Sequence, residues 1–535
     1  MIYGRLRTIA YLAVLVWTPL ALAAQAEEPR HGGTLVFGTA ADPGSMDPSY
    51  SPAATAFTVF DSIYNGLVEK DKTIDAPTPP IYNALAESYQ LSPDGLVYTF
   101  KLRKGVKFQD GTPFDAAAVD FNVRRWRDKT FKYYDAVAAG NTAALMQYVA
   151  SAKPVDDSTY QFTLSEPMGG FIDLLASSNY FYFVSPTVLE KYGTPGLTEH
   201  PGGTGPFKVV EYAKNQQIVL AHNDDYWGTA PYLDRLVYRV IPDQSARVAA
   251  LLSGEIDVAM ELPPDSIDTV KAKPNLEVFL RGKPHNFSLL PNFKEKPFND
   301  VRVREAVSKA IDRDGIVNGI LRASAKPGTQ FYGIGNPGFD DTITKVQDNR
   351  DLKKAKELLA EAGYPNGFET RMLCTPAGSG VPSTDQIMEY VQSNLADIGI
   401  KVKLELMEWN AYLAVYNKGI QTGQNIGAFC MAMGTDTAYV LDMYGNTRNY
   451  PPVGWDVGWF HDAKVDDILN KASAATSWDQ YLTLHRQAQK IVLDDYGYIV
   501  MTHDLGPYGV NKRVKGWQPS RSASQNVTRA WLASN

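Results

Sequence analysis

The chain has 535 residues, 44% of them hydrophobic and 21% charged, with a formal net charge of −7 at pH 7. The composition is that of a globular protein, and the acidic balance argues against nucleic acid, whose phosphates favour a basic surface. Two cysteines are too few for a disulfide-built scaffold, and the length exceeds one ordinary core, so two or three modules are expected.

At the start, Arg5 and Arg7 precede an apolar run from Ile9 to Trp17, and Ala24-Gln25-Ala26 fits a small-x-small cleavage site. Residues 1–26 are therefore expected to be a signal peptide, with an uncleaved anchor as the alternative. The run is too short and too interrupted for a spanning helix. No Cys stands at the cleavage site, so a soluble periplasmic product is expected rather than a lipoprotein.

Thr34 to Thr39 reads as a strand leading into the turn-rich Asp42-Pro43-Gly44-Ser45-Met46-Asp47-Pro48. Phe57 to Val68 reads as a helix with Phe57, Phe60, Tyr64 and Leu67 on one face, turned to the core. After the Ser92-Pro93-Asp94-Gly95 turn, Val97 to Leu102 alternates, with Tyr98, Phe100 and Leu102 on the apolar side. Thr112 or Asp115 caps a helix through Trp126, and Thr159 to Leu164 is a strand. The basic residues between 101 and 107 alternate with apolar ones and are read as a solvated strand face rather than an anion site.

From His200 to Val258 the punctuation is dense. Pro201-Gly202-Gly203-Thr204-Gly205-Pro206 is a stiff turn, either purely structural or a source of backbone N–H groups for a cleft. Phe207 to Tyr212 and Ile218 to Ala221 form a predicted hairpin around Lys214-Asn215-Gln216. Leu236 to Ile241 is a strand, Asp243 caps a helix through Leu252, Gly254 ends it, and Ile256 to Val258 resumes as a strand. Arg281-Gly282-Lys283-Pro284-His285-Asn286 lies between two strand-like runs and suits a hinge. Further on, Leu352 to Ala362 and Ile387 to Ile398 carry helical stripes ended by Gly363 and Gly399. Ile400 to Leu406 alternates as a half-buried strand, and Tyr481 to Ile491 is helical before the strand Tyr498 to Met501. Helices alternating with strands give an α/β class.

Several runs match one pattern in order: Gly203-Thr204-Gly205-Pro206-Phe207, Asp225-Tyr226-Trp227-Gly228, and Leu251-Leu252-Ser253-Gly254-Glu255-Ile256-Asp257. To these are added Tyr98 to Phe108 with Asp110-Gly111-Thr112-Pro113-Phe114, and Pro297-Phe298-Asn299-Asp300-Val301-Arg302. Over nearly the whole mature chain the sequence resembles the bacterial extracellular solute-binding proteins of family 5, the peptide/opine/nickel class that feeds ABC importers. The resemblance implies a two-lobed periplasmic binding protein fold (type II, cluster C) with an extra subdomain. It implies lobe I over 27–284, the subdomain at about 70–200, lobe II over 285–505, and a return to lobe I over 506–535. Two strands are expected to cross between lobes near 282–288 and 502–510.

The resemblance also locates a site. In peptide-binding relatives an Asp after the strand 426–430 pairs with the ligand's α-ammonium. Asp436 is the nearest match, and Thr435 the alternative if the register shifts by one. Trp409 stands at a cleft-edge strand–helix junction and either stacks on ligand or packs in the core. Tyr439 and Asn286 complete the expected ligand-binding set. Around 375–382, where dipeptide-binding relatives supply an Arg for the ligand carboxylate, this chain has small residues, which argues against a strict dipeptide receptor.

The seven histidines show no HExxH or other close ligand spacing, and no CxxC, P-loop, GxGxxG or GxSxG occurs. No metal, cofactor or catalytic residue is expected, and the chain is read as a binder rather than an enzyme. The expected partners are a small ligand and an inner-membrane ABC permease complex, with no nucleic acid and a monomeric receptor. A peptide-like ligand is the first reading. An opine, oligosaccharide or metal chelate is the alternative, as is a chaperone or signalling receptor of the same fold. Cys374 and Cys430 are either a disulfide or two buried thiols.

Overall fold

The computed structural model describes residues 27–534 except 51–53, 75, 77–78, 178, 323, 346–347, 377–380, 435, 452–453 and 523. The predicted signal peptide and Thr435 therefore lie outside the described residues.

The architecture is two-lobed α/β, organised on one eleven-stranded sheet. Two long strands, Leu276–Pro291 and Ile499–Asn511, lie antiparallel at its centre. On one side follow Val258–Ala259, Thr34–Thr39, Arg235–Val240, Gln217–His222 and Phe207–Ala213. On the other side lie Ile426–Met433, Glu369–Cys374 and Lys401–Leu406, and the eleventh strand, Ala325–Pro327, pairs with Ile499–Asn511 off this path. The pairing of the long strands runs from Leu276↔Asn511 to Gly282↔Leu505, breaks, and resumes at Asn286↔His503. The interruption falls on Lys283, Pro284 and His285. Across these residues the two long strands do not pair with each other, and the second is held there by a short strand, Ala325–Pro327, which pairs with Thr502–Asp504.

Local chemistry sets the elements as expected in most places. The hairpin 207–222 forms around a turn at Asn215, which has positive φ. The Asp243 carboxylate accepts from the Ala246 N–H at 2.7 Å and caps the helix Gln244–Ser253, worth about 1 kcal/mol. Gly254 closes that helix at φ 82°, a conformation that favours glycine. Of the two caps predicted before Trp126, Asp115 is the one used.

One helix is shorter than predicted. It spans Ala54–Ile63, and Val68–Lys70 is a strand. The Glu69 carboxylate takes the Gly66 N–H at 2.9 Å and the Asn65 amide at 3.0 Å, so the backbone turns there instead of continuing. Phe60, Tyr64 and Leu67 are buried all the same. The glycine-rich turn at 201–206 is buried and structural: the Gly205 N–H donates to the Ile63 carbonyl at 2.8 Å, and a β-carbon on Gly203 would fall 2.1 Å from that oxygen.

A separate four-stranded antiparallel sheet, in the order Ala86–Leu91, Val97–Leu102, Thr159–Leu164, Val149–Asp156, has its own core with Trp126, Phe162 and Phe171. Cys374 and Cys430 are joined as a disulfide across neighbouring parallel strands, settling the alternative the sequence leaves open.

Candidate functional site

In an open α/β sheet, loops that follow the strands' carboxyl ends define the crevice where ligands bind. Strands 34–39, 235–240 and 258–259 are parallel to each other, and so are 369–374, 401–406 and 426–433. Their carboxyl ends face each other across the long central strands, and two distinct arrangements fill the junction.

The first is packed shut. Met433 is followed by Gly434 and the segment Asp436–Tyr439, which crosses to the other lobe. The Lys70 ammonium meets Asp173 at 2.9 Å, with both side chains almost fully buried. Lys70 also donates to the Asp436 carbonyl, and Asp173 accepts from the Ala438 N–H at 3.2 Å. The Asp436 carboxylate, itself buried, accepts from the Ser522 hydroxyl. From its own side the segment is held by Asn336, donating to the Thr437 carbonyl at 2.9 Å, and by Tyr332, donating to the Ala438 carbonyl at 2.9 Å. Tyr439 is buried in the core of the four-stranded sheet, its hydroxyl 3.0 Å from that of Tyr148.

The second arrangement is open. A cavity of about 620 Å³ lies against the hinge. One wall is Gln244 and Glu261–Asp265, the other is Gly319, Ile320 and Arg322 with Pro376, Val381–Ser383 and Gln386, and the floor is Lys283, Asp504, Gly506 and Pro507 from the two long strands. The walls come from the loops after strands 235–240, 258–259 and 369–374, as the crevice rule requires. Seven described non-glycine residues have positive φ, and three of them, Glu261 (57°), Arg322 (46°) and Ser383 (56°), line this cavity. Such backbone costs of order 1–3 kcal/mol each and clusters at ligand clamps.

The floor carries charge. Lys283 is 9% exposed and Asp504 is 6% exposed. Among the described residues neither side chain makes a direct hydrogen bond or ion pair. Burial works to lower the Lys283 pKa, but Tyr508, Asp504 and Glu261 outweigh it and hold the ammonium charged. Burial pushes the Asp504 carboxyl up to about 6, with Lys283 opposing and Glu261 adding to the rise. His285, beside them, is lowered to about 4 by burial and by Lys283, so it is neutral at physiological pH. Gly506 makes room for the lysine: a β-carbon there would come 2.0 Å from Lys283 Cε.

The residues expected from sequence fall in different places. Asp436 and Tyr439 lie together in the packed segment, as described. Asn286 is buried within the central strand pair, its amide donating to the Phe331 carbonyl and its oxygen accepting from Ser288 at 2.5 Å. Trp409 starts the helix Trp409–Tyr416, half-buried, its ring 6.4 Å from Tyr412. Arg371 is held by Glu405 at 2.7 and 2.9 Å, away from the cavity. Sequence reasoning passed over Lys283, Asp504 and Glu261. The signal was present as a lysine inside a long apolar strand at the hinge already recognised, but its burial is not readable from spacing.

Among the described residues no group of His, Cys, Asp and Glu is placed to hold a metal, and no helix is long and apolar enough to cross a membrane.

A hinge-crossed sheet with a crevice between two α/β lobes defines the class of two-lobed binding proteins. The sequence profile of the bacterial extracellular solute-binding proteins, family 5 (middle region) matches residues 80–451, and the chain belongs to that family. It is 30% identical over 495 residues to the glutathione-binding protein GsiB of Escherichia coli O1:K1, covering 91% of this chain and 90% of the relative. The ABC transporter-associated periplasmic binding protein DppA from Helicobacter pylori, solved with the peptide STSA, aligns with a TM-score of 0.79 at 30% identity over 94% of this chain and 99% of that one. HbpA2 from Haemophilus parasuis aligns with a TM-score of 0.82 at 27% identity, over 94% and 100%.

Proposed function

We propose that this chain is the periplasmic receptor of an ABC importer, which captures a small peptide-like solute in the hinge cavity and passes it unchanged to a membrane permease. The observation that carries the reading is the cavity itself. Its walls come from opposite lobes and its floor from the strands that join them, so a solute bound there touches both lobes and favours their closure. Membership of the family and the peptide and glutathione ligands of the two relatives support the solute class.

In this reading residues 1–26 are a signal peptide removed before Glu27, and the boundaries run 27–284, 285–505 and 506–535, with the inserted subdomain at about 70–200. The receptor acts as a monomer without cofactor or catalysis. Asp436 and Tyr439 belong to the segment that seals the junction, and Asn286 and Trp409 brace the elements around it.

The test is a thermal-shift screen of di-, tri- and longer peptides, opines and oligosaccharides. A ligand bound only by the native state at a hundred times its Kd adds about 2.7 kcal/mol. A peptide-class solute is expected to raise the melting temperature by several degrees and be recovered intact. Chemical turnover of the binder would contradict the reading.

A further inference from the structure

The subdomain built on the four-stranded sheet meets the lobe beyond the hinge through one short element, the loop 167–170 and the helix Phe171–Ser177 that follows it. Its partners are the helices Ala463–Ser473 and Trp478–Asp494, which share a core with Leu373, Phe429 and Met431 of that lobe. The approach is backbone to backbone. The Gly169 N–H donates to the Ser473 carbonyl at 2.9 Å, at the end of a helix, where carbonyls lack partners within the helix. A β-carbon on Gly169 would lie 2.7 Å from the Ala475 oxygen and 3.0 Å from that of Ala472; one on Gly170 would lie 2.5 Å from the Tyr481 hydroxyl. Neither glycine has positive φ, so it is the close approach that requires them.

The same helix grips that lobe a second time. Asp173 accepts from the Ala438 N–H, and the Ser177 hydroxyl donates to the Asp436 carbonyl at 3.1 Å. In the other direction Tyr439 and Met443 pack into the core of the subdomain. Phe171 ties the helix to its own side, its ring stacked 4.4 Å from that of Tyr98. None of these residues lines the hinge cavity. Contacts that join the lobes away from the solute favour closure whether or not a solute is present.

We propose that the inserted subdomain is a latch: residues 167–177 hold the lobes together in the protein without solute, and Gly169 and Gly170 let the latch seat. The solute then adds to a closure already favoured. The latch is independent of the solute's identity.

The test is pulsed electron–electron double resonance on the mature full chain. Spin labels go on Val155→Cys in the subdomain and Lys490→Cys in the helix Trp478–Asp494, both exposed positions, while Cys374 and Cys430 are joined to each other. Bound small molecules are first removed by unfolding and refolding. Wild type is expected to give one narrow distance. Gly169→Ala, whose added carbon meets backbone of the other lobe, should show a second, longer distance in roughly half the molecules or more, with an unchanged far-ultraviolet circular dichroism spectrum. Ser177→Ala removes one hydrogen bond without adding an atom and should move the population the same way by less. A broad or long distance in wild type freed of solute would overturn the latch, because closure would then need the solute. So would a Gly169→Ala protein as closed as wild type. If Gly169→Ala fails to fold, Ser177→Ala decides alone, and an unchanged distance there overturns the proposal.

Discussion

The junction between the lobes holds two buried charge sites that differ in one respect. Lys70 and Asp173 meet at 2.9 Å and spend their remaining capacity on the backbone of 436–438. Lys283 and Asp504, a little less shielded on the cavity floor, make no direct ion pair and act on each other at longer range, with the Lys283 ammonium 5.7 Å from the Tyr508 ring centre. The first pair repays its desolvation with contacts and acts as a clasp; the second faces the cavity, where the charge of each is opposed by the other and Glu261 stands beside both. Burial of charge alone therefore does not identify a binding site.

Breaking the clasp should have the largest effect. Asp173→Asn keeps the shape but leaves Lys70 buried without a counter-charge, expected to cost roughly 3–5 kcal/mol. Scanning calorimetry should show a lower melting temperature, and small-angle scattering a larger radius of gyration as segment 436–439 detaches. A variant as stable and compact as wild type would reduce the clasp to ordinary packing.

The contrast can be sharpened by pH. Asp504, at about 6 in the fold, lies above its unfolded value of roughly 4. The folded chain thus holds that proton longer. Its contribution to stability is complete below about pH 4 and is lost as pH rises through about 6. The groups facing it are Lys283 and Glu261, with Tyr508, Asp265 and Arg322 around the same space. Asp504→Asn should flatten this fall in melting temperature between pH 4 and 6.5. An unchanged slope in the variant would place the titration elsewhere.

The smallest structural change is Gly506→Ala. The displaced atom is the flexible Lys283 Cε, so stability should change by less than about 1 kcal/mol. Affinity for the solute should nevertheless fall about tenfold, measured by titration. Equal affinity would show that Lys283 can leave its place at no cost to binding.

Much of the fold was legible because local chemistry and tertiary need agree. Asp243, Gly254 and Gly363 cap or end helices where the sequence puts them, and the alternation at 97–102 buries the predicted face. The helix after Phe57 ends early because Glu69 turns back on Asn65 and Gly66, a side-chain contact no periodicity records. The site was less legible for a related reason. Asp436 is conspicuous in sequence as a carboxylate after a strand, yet its partner Ser522 is 86 residues away. Lys283 and Asp504 are 221 positions apart and become neighbours only through strand pairing. What matters about them is their place on one cavity floor, which requires the whole packing to be known.

The most direct measurement is mass spectrometry of the protein purified without unfolding, from cell extract, compared under native and denaturing conditions. The account predicts one noncovalent solute of a few hundred daltons per chain, released unaltered on unfolding and retaken on refolding with extract. A chain that takes up no solute from extract after refolding, or that returns the solute chemically changed, would contradict it.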